Sequence, residues 1–211
     1  ETMFFGTFGI AILGTIISAA FDLKQDSRIR KATGMKKNPN SGSYLIINCP
    51  PAHQLADLFR EILCVESDAT FCVMDNRIEE LPSLVVNKFP DVHFVRGSAL
   101  RRDSYEQARA NESKSVIIFP SNGGDADGLT ATIVGQVLQI VDTTKTTVKF
   151  ILTDPSNEWL FEQYKGKSVP ILETLEVLAL VQELQDPGSA ATLQRMLKNS
   201  DGANPQTVKP D

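Results

Sequence analysis

The sequence has little that reacts. Its 211 residues hold 3 Cys and 2 His. Cys49, Cys64 and Cys72 fall at no metal-ligand spacing, and an odd count gives no disulfide framework. Cys49 and Cys72 lie in or beside expected strands, which reads as buried free thiols in a reducing compartment. His53 sits in an expected turn and His93 inside an expected strand, and no motif gives either a Ser or Cys partner, so a nucleophile–base pair has no support. Positive charge is not in excess either. The net charge of -5 argues against nucleic acid as the main partner. There is no internal repeat and no low-complexity segment. The hydrophobic fraction of 42% is ordinary, so most of the chain is expected to bury a core.

Charge is missing altogether from Met3 to Phe21, M-F-F-G-T-F-G-I-A-I-L-G-T-I-I-S-A-A-F. At about 1.5 Å rise per residue, a helix of this length nearly crosses a hydrocarbon core of about 30 Å. Membrane helix is the expected reading. A cleaved signal is disfavoured, since the stretch has no basic start and no break follows Ala19-Ala20. A buried helix of a soluble protein is the plain competitor. Lys24, Arg28, Arg30, Lys31, Lys36 and Lys37 follow at once against only Asp22 and Asp26, and positive charge beside a span marks its cytoplasmic side. The rest of the chain is therefore expected in the cytoplasm, as a membrane protein with one visible span. Gly6, Gly9 and Gly14 with Thr7, Thr15 and Ser18 suit close helix packing or the wall of an aqueous pore, or are ordinary lipid-facing filler. Asp22–Met35 continues the helix as a polar stretch, Gly34 ends it, and K-K-N-P-N-S-G-S reads as a short flexible linker.

From Ser43 onward, short apolar runs alternate with amphipathic ones. Strands are expected at Tyr44–Asn48, Thr70–Met74, Val92–Arg96, Ser115–Phe119, Thr147–Thr153 and Val169–Leu172. Helices are expected near Ala52–Cys64, Ile78–Lys88, Ser104–Ala110, Leu129–Val141, Asn157–Tyr164, Thr174–Gln185 and Ala190–Leu197. Continuous rather than alternating strands point to a parallel sheet covered on both faces, an α/β Rossmann-like doubly wound fold preceded by one transmembrane helix. The right-handed crossover puts the post-strand loops on one edge, where ligands bind. The helix Thr174–Gln185 is more apolar than a solvated helix needs, which suits docking on another copy or packing on its own sheet. Residues 199–211 are polar and expected to be disordered.

The first turn, Asn48-Cys49-Pro50-Pro51-Ala52-His53, has no glycine, and its prolines remove amide donors that would hold phosphate. Dinucleotide binding is thereby disfavoured, although Asp75 ends strand two where a ribose-binding carboxylate would stand. The loop Ser121–Gly128 carries Asp125 and Asp127 beside glycines. These could hold a hard cation such as Ca2+, or one of them could cap the next helix, which is the commoner use. Asp154 and Glu158 lie on the same expected edge and, with Asp75, could add acidic ligands.

The runs Y-L-I-I-N, F-C-V-M-D, V-H-F-V-R-G-S-A-L-R-R-D followed by Y-E-Q-A, K-S-V-I-I-F, and V-K-F-I-L-T-D resemble the RCK family, cytosolic domains that regulate conductance in potassium channels and transporters. The resemblance covers Tyr44 to about Leu197. It implies a pore-lining inner helix over 1–22 with Gly14 as gating hinge, a linker over 23–43, a Rossmann-like lobe over 44–165 and dimerisation helices over 166–198. For force to reach the pore it needs Asp22–Ser43 to be a stiff connection, against the flexible reading of K-K-N-P-N-S-G-S. It further implies potassium as the conducted ion, a tetrameric pore, and a homo-oligomeric ring of up to eight domains that opens or closes the pore on binding ligand and catalyses nothing. Three features depart from the family. The filter sequence T-V-G-Y-G is absent. The glycine fingerprint of nucleotide-binding members is absent too. Calcium-sensing members carry carboxylates at the ends of strands four and five, where this chain has Phe119-Pro120 and Thr153-Asp154-Pro155, so only Asp154 keeps the charge. The competing readings are a membrane-anchored nucleotide-binding oxidoreductase, which needs a glycine-rich turn and a catalytic acid or base, and a regulatory subunit of a transporter.

Overall fold

The computed structural model describes residues 33–172, 181, 183–185 and 188–197. The expected membrane helix, its hinge Gly14, the tail 199–211 and most of Thr174–Gln185 lie outside the described residues. Among the described residues no helix is long and apolar enough to cross a membrane.

Six strands form one sheet: β1 Tyr44–Ile47, β2 Phe71–Met74, β3 His93–Val95, β4 Ser115–Ile118, β5 Thr147–Leu152 and β6 Ser168–Leu172. Their order is β3-β2-β1-β4-β5-β6 and every pairing is parallel. The order reverses between β1 and β4, which makes a crevice at the C-terminal ends of those two strands. The doubly wound expectation is met. Each expected strand exists within two residues of its place, and for β1, β2 and β4 the signal is the short apolar run of a buried parallel strand.

The helices are α1 Ala52–Val65, α2 Ser83–Lys88, α3 Arg102–Ala108, α4 Ala126–Ile140 and α5 Ser189–Leu197, with 3₁₀ turns at Ala110–Glu112 and Pro155–Tyr164. One face of the sheet packs on α1 and α2. There Phe59 of α1 stacks on Phe71 of β2 at 4.0 Å and meets Phe89 edge-on at 5.3 Å. The other face packs on α3, α4 and the second 3₁₀ helix, with Phe150 stacked on Phe161 at 4.1 Å. Gly135 lets that 3₁₀ helix lie close, since a Cβ there would meet the Tyr164 hydroxyl at 2.4 Å.

Several boundaries differ from expectation, each with a local cause. The helix expected from Ile78 begins only at Ser83, because Pro82 cannot donate a helical hydrogen bond and holds Leu81 out of the helical region. The one expected at Asn157 starts two residues earlier and is 3₁₀ throughout. The long helix expected from Leu129 starts at Ala126, which brings Asp127 inside its first turn. β5 is not a continuous apolar run. Thr147 and Lys149 are exposed while Val148, Phe150 and Leu152 are buried. On the next strand Val169 is 55% exposed and Ile171 38%. Among the described residues, then, the sheet is covered on both faces at β1–β3 and mainly on one face at β5, while on β6 Val169, Pro170 and Ile171 are all exposed.

The connector is also unlike its reading as a flexible linker. Gly34, at φ +70, accepts the Arg96 amide at 2.9 Å and the Gln107 side-chain amide at 3.0 Å through its carbonyl. Lys36 O meets the His93 Nε2 at 2.9 Å. Asn38 is buried, and its side chain donates to Ala108 O and to Ser43 Oγ, each at 3.1 Å. The backbone of 34–38 is thus stitched along the β3 edge and onto α3.

Candidate functional site

The crevice begins with Asn48, which ends β1 in the left-handed region at φ 63. A glycine would adopt this conformation freely, whereas asparagine is among the few other residues that tolerate it. Its side-chain amide donates to Phe119 O at 2.8 Å, tying the first turn to the end of β4 across the crevice. The turn then runs through Pro50 and Pro51 into α1, which has no side-chain cap. His53, in the first turn of α1, is exposed, and His93 is buried in β3 against the connector.

Asp75 closes the next position. Its side chain is fully buried. One oxygen accepts the Cys49 amide at 2.7 Å and the other the Arg77 amide at 2.7 Å. The Arg77 guanidinium adds Nε at 3.0 Å and Nη2 at 2.6 Å. Burial pushes the Asp75 carboxyl up, but the Arg77 guanidinium and the two amides outweigh it and hold the group below the usual carboxylate range. Burial, with the Asp75 charge added, pushes the Cys49 thiol up to about 11, so it is no thiolate nucleophile near neutrality. Burial likewise pushes Cys72 up. Cys49 is half-buried rather than buried, Cys64 is exposed, and all three thiols are free.

Asp127 makes a second closed cluster after β4. It is 2% exposed. It accepts the Thr153 amide at 2.9 Å, the Asp154 amide at 3.0 Å and the Asn157 side-chain amide at 2.9 Å. Burial pushes this carboxyl up as well, and the Asn157, Thr153 and Asp154 donors together hold it below the usual range. Asp125 caps α4, accepting the Gly128 amide at 3.0 Å, and Asp154 caps the following 3₁₀ helix through the Ser156 amide at 2.9 Å. Gly128 leaves room for this cap, because a Cβ there would crowd the Asp125 carboxylate and push it aside. Glu158 is exposed.

The five candidate carboxylates therefore do not gather. Among the described residues no three His, Cys, Asp or Glu side chains converge as a metal would need. Asp75 stands apart at β2. Asp127 and Asp154 are neighbours through the backbone, yet each faces N–H donors, which oppose a cation. Of the two roles weighed for the 121–128 loop, Asp125 takes the cap. Sequence reasoning missed three residues here. Arg77 was legible, two positions after Asp75 in D-N-R. The left-handed Asn48 and the distant Asn157 carried no signal that spacing could reveal.

No known family profile and no curated protein matches this sequence. Solved structures do match in fold. The human SLO3 gating ring aligns over 80% of this chain and 30% of its own, at TM-score 0.55 and 14% identity. The GsuK channel bound to NAD aligns over 80% of this chain and 28% of its own, at TM-score 0.58 and 16% identity. The TrkA-N domain of the inner membrane protein YbaL from Escherichia coli aligns over 71% of this chain and 100% of its own, at TM-score 0.52 and 14% identity. At these identities the likeness is one of fold, and the fold is that of RCK and TrkA-N domains. The chain spans less than a third of the length of the gating ring and of the channel. A structure of this fold holds NAD, so the argument from the missing glycines against nucleotide does not extend to the fold as a whole.

Proposed function

We propose that this chain is the gating domain of a potassium or other cation channel: a sensor that moves rather than a catalyst. The observation that carries the reading is the stitched connector. Whatever displaces β3 and α3 also displaces the backbone of 34–38, so strain generated in the sheet has a stiff route toward the residues that precede it. A flexible linker would dissipate it. The fold shared with the SLO3 gating ring supports the same reading, and the buried, hydrogen-bonded carboxylates of the crevice offer no general base. Assembly of several copies, a pore helix over 1–22 bending at Gly14, and a cytoplasmic position for the domain belong to this proposal. Ligand changes the gate only by binding its open and closed arrangements unequally.

Nucleotide is one ligand class this fold accommodates. In this chain the Asp75 carboxylate is held by Arg77, so a ribose bound there requires Arg77 to swing outward. Cation binding at Asp125, Asp127, Asp154 or Glu158 requires N–H donors to give way. We therefore expect calorimetry to give weaker binding of Ca2+ than of NAD.

The test of function is potassium flux through liposomes carrying the full-length protein, with and without three substitutions that cut the stitches: Gly34→Val, Asn38→Ala and Gln107→Ala. Flux whose ligand dependence is lost in the triple variant supports the proposal. Flux and ligand dependence that survive it, or turnover of a nicotinamide substrate by the chain, overturn it.

A further inference from the structure

A cavity of about 670 Å³ opens beyond the C-terminal ends of β2 and β3, between Asn76, the residue after Asp75, and the connector. Small-molecule sites fall at about 300–1,000 Å³. The connector, at Gly34 and Met35, forms one wall, and Ser104 and Gln107 of α3 form another. Glycine makes the meeting possible. A Cβ on Gly34 would stand 2.4 Å from the Arg96 amide nitrogen, and one on Gly97 2.6 Å from the Ser104 Cβ. Neither wall can carry a larger residue at these points.

The lining is rich in donors. Arg96 reaches its carboxylate partner, Glu79, only at 3.8 Å, and that partner is 85% exposed. Arg101 pairs with Asp103 at 2.5 Å, with both side chains more than half exposed. Exposed pairs of this kind hold weakly, and an incoming anion competes with them. Asp103 offsets Arg101, which leaves Arg96 as the main anchor. The Asn76 amide and the Ser98 and Ser104 hydroxyls add neutral groups suited to a hydroxylated ligand.

We infer that this cavity binds a small hydroxylated anion bearing a phosphate or carboxylate, its charge on Arg96 and Arg101 and its hydroxyls on the amide and serine side chains. An occupant touches the connector, β3 and α3 together, so it stiffens the joint between them. That consequence rests on the function proposed above, whereas the binding does not.

Met35 lines the cavity and is 66% exposed, while Met74 lies in the core. NMR of the full chain labelled at methionine methyls therefore separates occupancy from unfolding. Ribose 5-phosphate and gluconate are the phosphate and carboxylate probes, with inorganic phosphate as the bare anion. The expected result is a saturable Met35 shift with at least one of the two probes, its half-saturation raised at least tenfold in Arg96→Gln/Arg101→Gln, with Met74 unmoved. Which probe acts identifies the anionic group. No Met35 shift with either, or equal half-saturation in the double variant, overturns the site. Inorganic phosphate binding as tightly as ribose 5-phosphate overturns the role of the hydroxyls. Failure of the flux test alone would leave the Met35 shift in place and sink only the gating proposal.

Discussion

Asp75 and Asp127 occupy opposite halves of the same sheet edge and illustrate two ways to bury a carboxylate. Asp75 has a guanidinium, so its charge is balanced and its geometry is fixed by a residue two positions away. Asp127 has only neutral donors, two of them main-chain amides after β5 and one the Asn157 side chain. The first is a local clamp, formed within one loop and reaching the first turn through Cys49. The second is a long-range clamp that holds the start of α4 to the strand that follows it. The lesson is that a buried acidic residue at a ligand-binding edge need not await a ligand. Its hydrogen-bond donors decide whether it is available.

Substitution tests whether the two clamps differ as their partners suggest. Asp75→Ala should have the largest effect, a loss of about 3 kcal/mol in urea denaturation, since breaking a buried ion pair strands its partner, and Arg77 is exposed enough to recover some hydration. Adding Arg77→Gln should restore about 1 kcal/mol, and no restoration would mean that the charge is immaterial. Asp127→Asn should cost about 2 kcal/mol, because an amide keeps one acceptor but turns a donor toward N–H groups. Asn157→Asp in that background should not rescue it, which separates this clamp from the charged one. Gly128→Ala should cost about 1 kcal/mol by displacing the Asp125 cap, read as a lower melting temperature.

The smallest contrast lies in acid. Both carboxyls sit below their ordinary value of 3.8 in the folded chain. Each therefore contributes stability that is complete above that value and is lost as pH falls through the lower folded one. Stability measured from pH 5 downward should fall less steeply in Asp75→Asn and in Asp127→Asn than in the native chain. An unchanged slope in either would show that its carboxyl is not held by the donors named here.

Much of the architecture was legible in order. Runs such as Y-L-I-I and S-V-I-I are too short for helices and too apolar for exposed strands, so parallel strands were their natural reading. The misreadings came from single residues that act over one turn, such as Pro82 delaying α2. β5 misled for a different reason. T-V-K-F-I-L alternates at its start, and only its neighbours decide which side meets a core.

The candidate site was less legible. The sequence by itself determined the strand and helix alternation, the absence of a glycine fingerprint, the uncharged run from Met3 to Phe21, and the candidate acids, because each is a matter of composition or of spacing along the chain. Only the tertiary structure decided that Asp75 is closed by Arg77, that Asp127 is taken up by the Thr153–Asn157 segment, and that the connector lies bonded to β3 and α3. Those outcomes depend on which donors the folded chain brings within about 3 Å of an acceptor. Separation along the sequence carries almost no record of that distance.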